Sequence, residues 1–378
     1  MKTTVQDAAS RAMAPDELAR LFEYLAGEGY SLIGPTLRDG AVVFDHIRCP
    51  ADLPRGVRAL QTPGSCRWDH DGDSALFAHG AGADSFKRHV SPPRETVWIA
   101  RRDREGALTF GQPPQQVQPA AYVGMRPCDL AALLIRDRAL AQGDYRDTAY
   151  VARRAGLFIA VAECAAPAGN CFCASMGTGP GANRGYDLAL TEIGNGGRRM
   201  LLIRSGSARG AAALDTLNLP FATVAQLSSA RRAVETAAAS MRRGPTPEGA
   251  RAALNRGRES PRWRETAKRC LACGSCAMVC PTCFCHAVED RAGLDRGRAE
   301  RVKTWAPCFT REFTYIHGGA ARPSVAGRYR HWITHKFAAW FDQFGVSGCV
   351  GCGRCVTWCP VGIDVVEEIA ALNGAPDR

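Results

Sequence analysis

The sequence has no long apolar run. Its longest largely apolar stretch, residues 157–166, is far shorter than the roughly 18 residues that a membrane-spanning helix needs. Residues 1–20 also lack the apolar core after basic residues that is typical of a secretory signal. We therefore expect a cytoplasmic protein whose cysteines stay in a reducing compartment, without a disulfide framework.

Nucleotide-binding motifs are also missing. The sequence contains no P-loop, and Gly177, Gly179 and Gly181 lack the spacing of a dinucleotide fingerprint, so we predict a turn there. Much of the formal charge of +11 comes from arginines within residues 231–269. This stretch has no recognisable DNA-binding motif. It is interpreted as a solvated helical face or a docking face for an acidic partner protein, and no nucleic-acid partner is expected.

Cysteine is abundant and strongly patterned. Eight of the 17 cysteines form two copies of one motif, in which three cysteines at steps of three precede a fourth that stands before proline. The first copy is Cys270, Cys273, Cys276 and Cys280-Pro281, and the second is Cys349, Cys352, Cys355 and Cys359-Pro360. This spacing is that of the bacterial ferredoxin ligand run for a [4Fe-4S] cluster. The repeat therefore predicts two [4Fe-4S] clusters and one-electron chemistry.

The fourth cysteine of each run is expected to bind the cluster of the other run, as in two-cluster ferredoxins. The first ligand set is then Cys270, Cys273, Cys276 and Cys359, and the second is Cys349, Cys352, Cys355 and Cys280. Three glycines leave room for backbone N–H groups to approach the cluster sulfurs: Gly274, Gly351 and Gly353. Structural zinc is disfavoured, because it normally uses two separated Cys-x-x-Cys pairs.

Residues 1–244 alternate predicted strands and helices, which indicates an α/β domain with a helix-covered sheet. Helices are predicted over residues 16–26 and 129–140. Strands are predicted for the short apolar runs 41–44, 97–100, 121–125, 157–162, 186–190 and 200–203. A Gly-Pro-Thr-Pro turn at residues 244–247 marks the predicted domain boundary.

Residues 245–378 are predicted to form an all-helical ferredoxin domain that carries both clusters. Residues 330–344 read as an aromatic-rich helix before the second run. Asp364 followed by Glu367 resembles a capping box at the start of a final helix. Lys336 and Arg354 are candidates for raising a cluster potential, because a nearby positive charge favours the reduced state.

Four further cysteines predict a third metal centre in the N-terminal domain: Cys128, Cys164, Cys171 and Cys173. Cys128 and Cys164 follow two predicted strands, and parallel neighbours would bring them to one edge of the sheet. Against this, the Cys-Phe-Cys pair would splay its thiols apart unless the backbone turns. Cys283, Cys285 and Cys308 are read either as further ligands or as buried thiols, and Cys49 and Cys66 as free thiols.

Several motifs resemble one family. They are Cys280-Pro-Thr-Cys283-Phe-Cys285, the segment 301–308 with Trp305, His335-Lys336-Phe337, the second run with Cys359-Pro-Val-Gly-Ile-Asp364, Arg126-Pro127-Cys128-Asp129, and Cys164 through Cys171-Phe-Cys173 to Gly177. With the paired runs, they resemble the iron-sulfur beta subunit of cytoplasmic hydrogenase/sulfur reductase (sulfhydrogenase) complexes. They are also similar to the corresponding iron-sulfur component of anaerobic sulfite reductase. The likeness covers most of the chain.

The resemblance implies a subunit that relays electrons and has no substrate site of its own. In such complexes a companion flavin subunit exchanges a hydride with NAD(P)H, and a separate catalytic subunit reduces protons, sulfur or sulfite. The alternative is a self-contained iron-sulfur oxidoreductase whose N-terminal domain binds a flavin or a small substrate. A pocket lined by Arg126, Asp129 and the nearby cysteines would favour that alternative.

Overall fold

The computed structural model describes residues 10–70, 72, 74–113, 117–194, 199–293 and 297–373. The strands in these ranges are β1 (Arg11–Met13), β2 (Ser31–Arg38), β3 (Ala41–His46), β4 (Val57–Thr62), β5 (Ser65–His70), β6 (Arg94–Arg102), β7 (Leu108–Gly111), β8 (Ala120–Met125), β9 (Leu157–Ala162), β10 (Leu188–Ile193), β11 (Met200–Ser205), β12 (His286–Ala292), β13 (Arg298–Trp305), β14 (Tyr315–Ile316) and β15 (Gly319–Ala320). The α-helices are α1 (Leu18–Gly27), α2 (Lys87–Val90), α3 (Pro127–Leu140), α4 (Thr148–Ala155), α5 (Ala208–Leu217), α6 (Val224–Ser240), α7 (Pro247–Arg256), α8 (Arg262–Arg269), α9 (Ser275–Met278), α10 (Val325–Thr334), α11 (Trp340–Phe344), α12 (Arg354–Thr357) and α13 (Val365–Asn373).

The N-terminal half is built around a seven-stranded sheet in the order β1-β11-β10-β9-β8-β2-β3. Its four central strands, β2, β8, β9 and β10, are parallel, and antiparallel strands flank them on both sides. Every residue of β9 is buried, as expected for a parallel strand that is covered on both faces. The predicted α/β class is confirmed for this part of the chain.

Helices cover the two faces of this sheet. Phe158 and Ala160 share one core with the apolar sides of α1 and α5. The alternate residues Leu157 and Ile159 share a second core with α3 and α4. Successive side chains of a strand point to opposite faces, so a single apolar strand supports both layers.

A second sheet joins the two halves of the chain, in the order β12-β13-β6-β7. Strand β13 pairs antiparallel with β6 of the N-terminal half, and β12 with β13. The all-helical C-terminal domain is therefore not confirmed, since residues 286–305 form a strand hairpin. Its outer strand β12 is charged and mostly exposed, so it lacks the apolar alternation that marks a strand. A boundary at residue 244 stays a prediction.

The C-terminal helices enclose a third core that also contains the cysteine runs. The predicted helix at residues 330–344 is found as α10 and α11, joined by a π-helical turn at His335–Ala339. Helix α13 follows Asp364, whose Oδ1 accepts a hydrogen bond of 2.9 Å from Val366 N. Among the described residues, no helix has both the length and the apolar character to cross a bilayer.

Candidate iron-sulfur centres

The two cysteine runs fold into matching loops. Ala272 and Gly351, each two residues after the first cysteine of its run, have φ angles of +52° and +63°. Gly274 and Gly353, each just after the second cysteine, both have φ of +75° and precede the short helices α9 and α12. The repeated sequence is therefore a repeated conformation.

Backbone N–H groups point at sulfurs in both loops. Ala272 N donates to Cys270 Sγ at 3.4 Å, and Gly351 N donates to Cys349 Sγ at 3.3 Å. Ile363 N donates to Cys359 Sγ at 3.3 Å. Such bonds favour a thiolate and, on a cluster, raise its reduction potential.

The glycines also permit close approach of other backbone. A Cβ on Gly351 would lie 2.6 Å from Phe172 C, and a Cβ on Gly353 would lie 2.5 Å from Asn170 O. Phe172 N donates to Gly351 O at 2.8 Å. The second cysteine loop is thus packed directly against the N-terminal Cys171-Phe-Cys173 segment.

One pocket gathers the first predicted ligand set. It is lined by all four cysteines of that set, Cys270, Cys273, Cys276 and Cys359, and also by Cys355 of the second set. Cys273 is exposed. The remaining lining is largely apolar, and the buried Tyr329 hydroxyl and Trp332 Nε1 that line it have no hydrogen-bond partner among the described residues. A cluster sulfide is an acceptor that such donors lack.

The second predicted set is deeper in the molecule. Cys349 and Cys352 are buried, and burial raises the pKa of Cys349 to about 12. Hydrogen bonding from the Cys283 thiol holds the pKa of Cys280 well below its usual value. After burial, the charge of Cys280 is among the causes that raise the pKa values of Cys349, Cys352 and Cys355. The four sulfurs are therefore electrostatic neighbours.

Lys336 lies beside Cys280 in the turn between α10 and α11. Its Nζ is buried and donates to Thr282 Oγ1 at 2.8 Å and to Gly348 O at 3.2 Å. Burial opposes its charge, yet the neighbouring sulfurs of Cys280 and Cys283 raise the pKa of Lys336 above its ordinary value. A buried cation thus stands next to the second predicted set. Thr282, which orients it, was not singled out from the sequence, because one threonine carries no pattern.

Arg354 has a different partner from the one the sequence suggested. Its guanidinium forms a buried bidentate ion pair with Asp129 of α3, and its Nε donates to Gly82 O at 2.8 Å. Asp129 neutralises much of the charge that Arg354 would otherwise offer a cluster. Asp129 is also fully buried and does not line the pocket of Arg126, so the pocket that would favour a self-contained enzyme is not formed as anticipated.

The N-terminal cysteines come together at the carboxyl edge of the sheet. Strands β8 and β9 are parallel neighbours. Cys128 lies in the first turn of α3, directly after β8, and Cys164 lies two residues after β9. The chain turns at residues 173–177, so the Cys-Phe-Cys pair is not an extended strand. One cavity is lined by Cys128, Cys164, Cys171 and Cys173.

The remaining cysteines lie outside these two pockets. The thiol of Cys285 shares a hydrogen bond with that of Cys308, which lowers the pKa of Cys285 to about 7. Cys49 is exposed, and Cys66 accepts a weak contact of 3.9 Å from Gln61. In the described parts of the chain, no three Cys, His, Asp or Glu side chains come close enough to share a single metal ion. Cluster thiolates bind separate irons and are spaced more widely than the about 3.8 Å between sulfurs on one zinc.

Comparison with known proteins identifies relatives of this arrangement. Residues 269–363, which include both cysteine runs, match the family model of the 4Fe-4S dicluster domain. The sulfhydrogenase 2 subunit beta of Pyrococcus furiosus is 32% identical over 289 residues, which cover 75% of this chain and 83% of that protein. No solved structure matches the chain.

Proposed function

The chain belongs to the family of sulfhydrogenase beta subunits, and from that premise we propose that it relays single electrons through two [4Fe-4S] clusters between a flavin-containing partner and a catalytic partner. Membership makes it an iron-sulfur electron-transfer subunit of a complex. The number of clusters, their ligands and the identity of the partners are the proposal. The gathering of the first ligand set in one pocket is the observation that carries it.

The eight cysteines of the paired runs would hold the two clusters by cross-ligation. Cys359 supports this arrangement, because it comes from the second run but lines the pocket of Cys270, Cys273 and Cys276. Cys280 supports it from the other side, since it comes from the first run and interacts electrostatically with Cys349. Each run would therefore lock the other in place, although β12 and β13 lie between them.

A [4Fe-4S] cluster supplies one-electron chemistry with little movement of its ligands. The chain's own residues set the surroundings. Gly351 N and Ala272 N donate to sulfurs, which stabilises added negative charge. Lys336 holds a buried positive charge beside Cys280. The apolar lining that includes Trp332 and Ile363 keeps water from the first pocket.

The two sites would form a continuous path. Cys355 of the second set also lines the first pocket, so the two clusters would be immediate neighbours. The first pocket opens to the surface at Cys273 and at Leu271, which is 63% exposed. An electron from a partner would enter or leave at this edge, and the second cluster would pass it toward the interior.

The partners follow from the family rather than from a site on this chain. The relative is named as one subunit of a sulfhydrogenase, so partner subunits are expected here too. We propose that one partner exchanges a hydride with NAD(P)H through its flavin. The other would reduce protons, sulfur or sulfite, and that choice would belong to the partner's active site.

Substitution of exposed cysteines tests the ligand sets. In the anaerobically purified full chain, Cys273→Ser should remove up to about 4 iron atoms and alter one [4Fe-4S] electron paramagnetic resonance (EPR) signal. Cys49→Ser is the matched control, because Cys49 is also exposed but lies outside both sets. Equal iron contents and spectra in the two variants would contradict the ligand assignment.

The relay itself is tested by reconstitution. The purified chain should contain no flavin and should not reduce sulfur or sulfite with an artificial reductant. It should accept electrons from the flavin-containing partner, and Cys352→Ser should block their passage to the catalytic partner. A copurified flavin, or turnover by the chain alone, would instead support a self-contained oxidoreductase.

A further inference from the structure

The cavity at the carboxyl edge of the central sheet contains an unusual concentration of thiols. Its lining includes four cysteines, from three separate segments of the chain: Cys128, Cys164, Cys171 and Cys173. The other lining residues are Arg126, Met241 and small or apolar residues, with no carboxylate among them. Four thiols and one cation therefore face a common space.

Arg126 is the second unusual feature of this cavity. It is only 2% exposed. Its Nη2 donates to the carbonyl oxygens of Phe77 and His79, but its Nε and Nη1 are buried without a hydrogen-bond partner among the described residues. Leaving donors of a buried cation unpaired is costly, so each such group calls for an explanation.

Arg354, in the same region, illustrates what Arg126 lacks. The charge of Arg354 is matched by Asp129, with Nη1 to Oδ1 at 2.8 Å and Nη2 to Oδ2 at 2.9 Å. No carboxylate in the described part of the chain forms such a pair with Arg126. An anionic occupant of the cavity would supply the missing partner.

From these two observations we propose that Cys128, Cys164, Cys171 and Cys173 bind a third [4Fe-4S] cluster, with Arg126 as the cation that compensates its charge. An oxidised cubane with four thiolates has a net charge of about −2, and its sulfurs accept hydrogen bonds. It would satisfy the unpaired N–H groups of Arg126. Since Arg126 binds no iron, it is a positioning residue.

The third cluster would extend the relay. Cys171 Sγ lies 3.9 Å from Cys352 O, and Thr178 Oγ1 donates to Val350 O at 2.7 Å. Phe172 N also donates to Gly351 O. The cavity is therefore in direct contact with the second cysteine loop, and one electron could pass between the two clusters without leaving the protein interior.

Metal analysis of the unmodified chain is the first test. The full chain, purified and reconstituted under anaerobic conditions, should contain about 12 iron and 12 acid-labile sulfide, against about 8 of each for the paired runs alone. A content of about 8 iron would overturn the third cluster while leaving the two-cluster relay intact. So would about 8 sulfide with one additional zinc or iron, which would indicate a mononuclear site.

Variants then locate the cluster. Cys171→Ser with Cys173→Ser should lower the iron content by about 4 and retain the EPR signals of the paired clusters, whereas Cys66→Ser should change neither. Arg126→Met should retain the iron but shift one cluster to a lower reduction potential, and Arg126→Lys should restore part of that shift. An iron content of about 12 in the double cysteine variant, or unchanged potentials in Arg126→Met, would overturn the assignment of these residues.

Discussion

Arg354 and Asp129 form a buried bidentate ion pair that ties the second cysteine loop to the central sheet. Arg354 begins α12, directly after Gly353, and Asp129 lies in the first turn of α3. The two pairs of atoms are 2.8 and 2.9 Å apart, and both side chains are almost completely buried. A residue of the dicluster region is thereby locked to the α/β half, at the same sheet edge that holds Cys128.

Removal of one partner of this pair should be strongly destabilising. We expect Arg354→Met to lower the free energy of unfolding by about 3–5 kcal/mol, because Asp129 would remain charged in the interior. Arg354→Met with Asp129→Leu should recover most of the loss, since neither charge is then buried. Anaerobic denaturant titrations measure both values.

An exposed ion pair provides the control for this comparison. Arg251 and Asp342 are 2.6 Å apart, but both side chains are well exposed. Arg251→Met should therefore cost only about 0–1 kcal/mol. A double variant of Arg354 and Asp129 that is as unstable as the sum of its single variants would contradict charge compensation as the cause.

Lys336 should raise the potential of the second cluster. Its buried Nζ stands beside Cys280 and has no carboxylate within the ion pairs formed by the described residues. Lys336→Met should lower the midpoint potential of one cluster by on the order of 100 mV, which corresponds to a unit charge about 6 Å away at an effective dielectric constant of about 20. EPR-monitored redox titration gives the value.

Lys268→Met is the matched control for that titration. Lys268 is exposed and lies two residues before the first run, so solvent screens its charge. Its substitution should leave both potentials nearly unchanged. Equal shifts in the two variants would indicate a general effect of net charge rather than a local effect of Lys336.

Gly351 should be essential to the packing of the second loop. In Gly351→Ala the new Cβ would meet Phe172 C at 2.6 Å and the residue would keep a φ of +63°. Gly345→Ala has a similar φ of +70°, but its Cβ would meet nothing closer than Arg138 Nη1 at 3.6 Å. We expect Gly345→Ala to cost about 1 kcal/mol from backbone strain alone and Gly351→Ala to lose iron as well. Iron content and stability measured on both variants separate strain from collision.

The sequence predicted those parts of the molecule where local pattern and tertiary structure agree. Residues 157–162 are apolar throughout, and they are the fully buried strand β9. Cys128 and Cys164 were placed at one sheet edge by the rule that parallel strands end together, and they line one cavity. The cysteine spacing predicted an iron-sulfur protein, and the family comparison confirms that class.

Features that depend on distant partners could not be read from the chain. Residues 286–292 are charged and exposed, and they form a strand only because β13 and β6 provide the hydrogen-bonding edge. Arg354 was expected to act on a cluster, whereas Asp129, 225 positions away in sequence, takes up its guanidinium. No local pattern contains the information that these two side chains meet.

Ala272 gives the sharpest test of the internal repeat. It occupies the position of Gly351 in the first loop, with a φ of +52° that costs an L-residue about 1–2 kcal/mol. Ala272→Gly should therefore raise the stability of the chain by up to about 1 kcal/mol, because the relief of strain exceeds the added freedom of the unfolded glycine. Ala250→Gly, in the buried face of α7, should lower stability by about 1 kcal/mol or more. Since the bond from residue 272 N to Cys270 Sγ is made by the backbone, the iron content of Ala272→Gly should not change. A loss of stability in Ala272→Gly would mean that the methyl group, rather than the left-handed turn, is what the first loop requires.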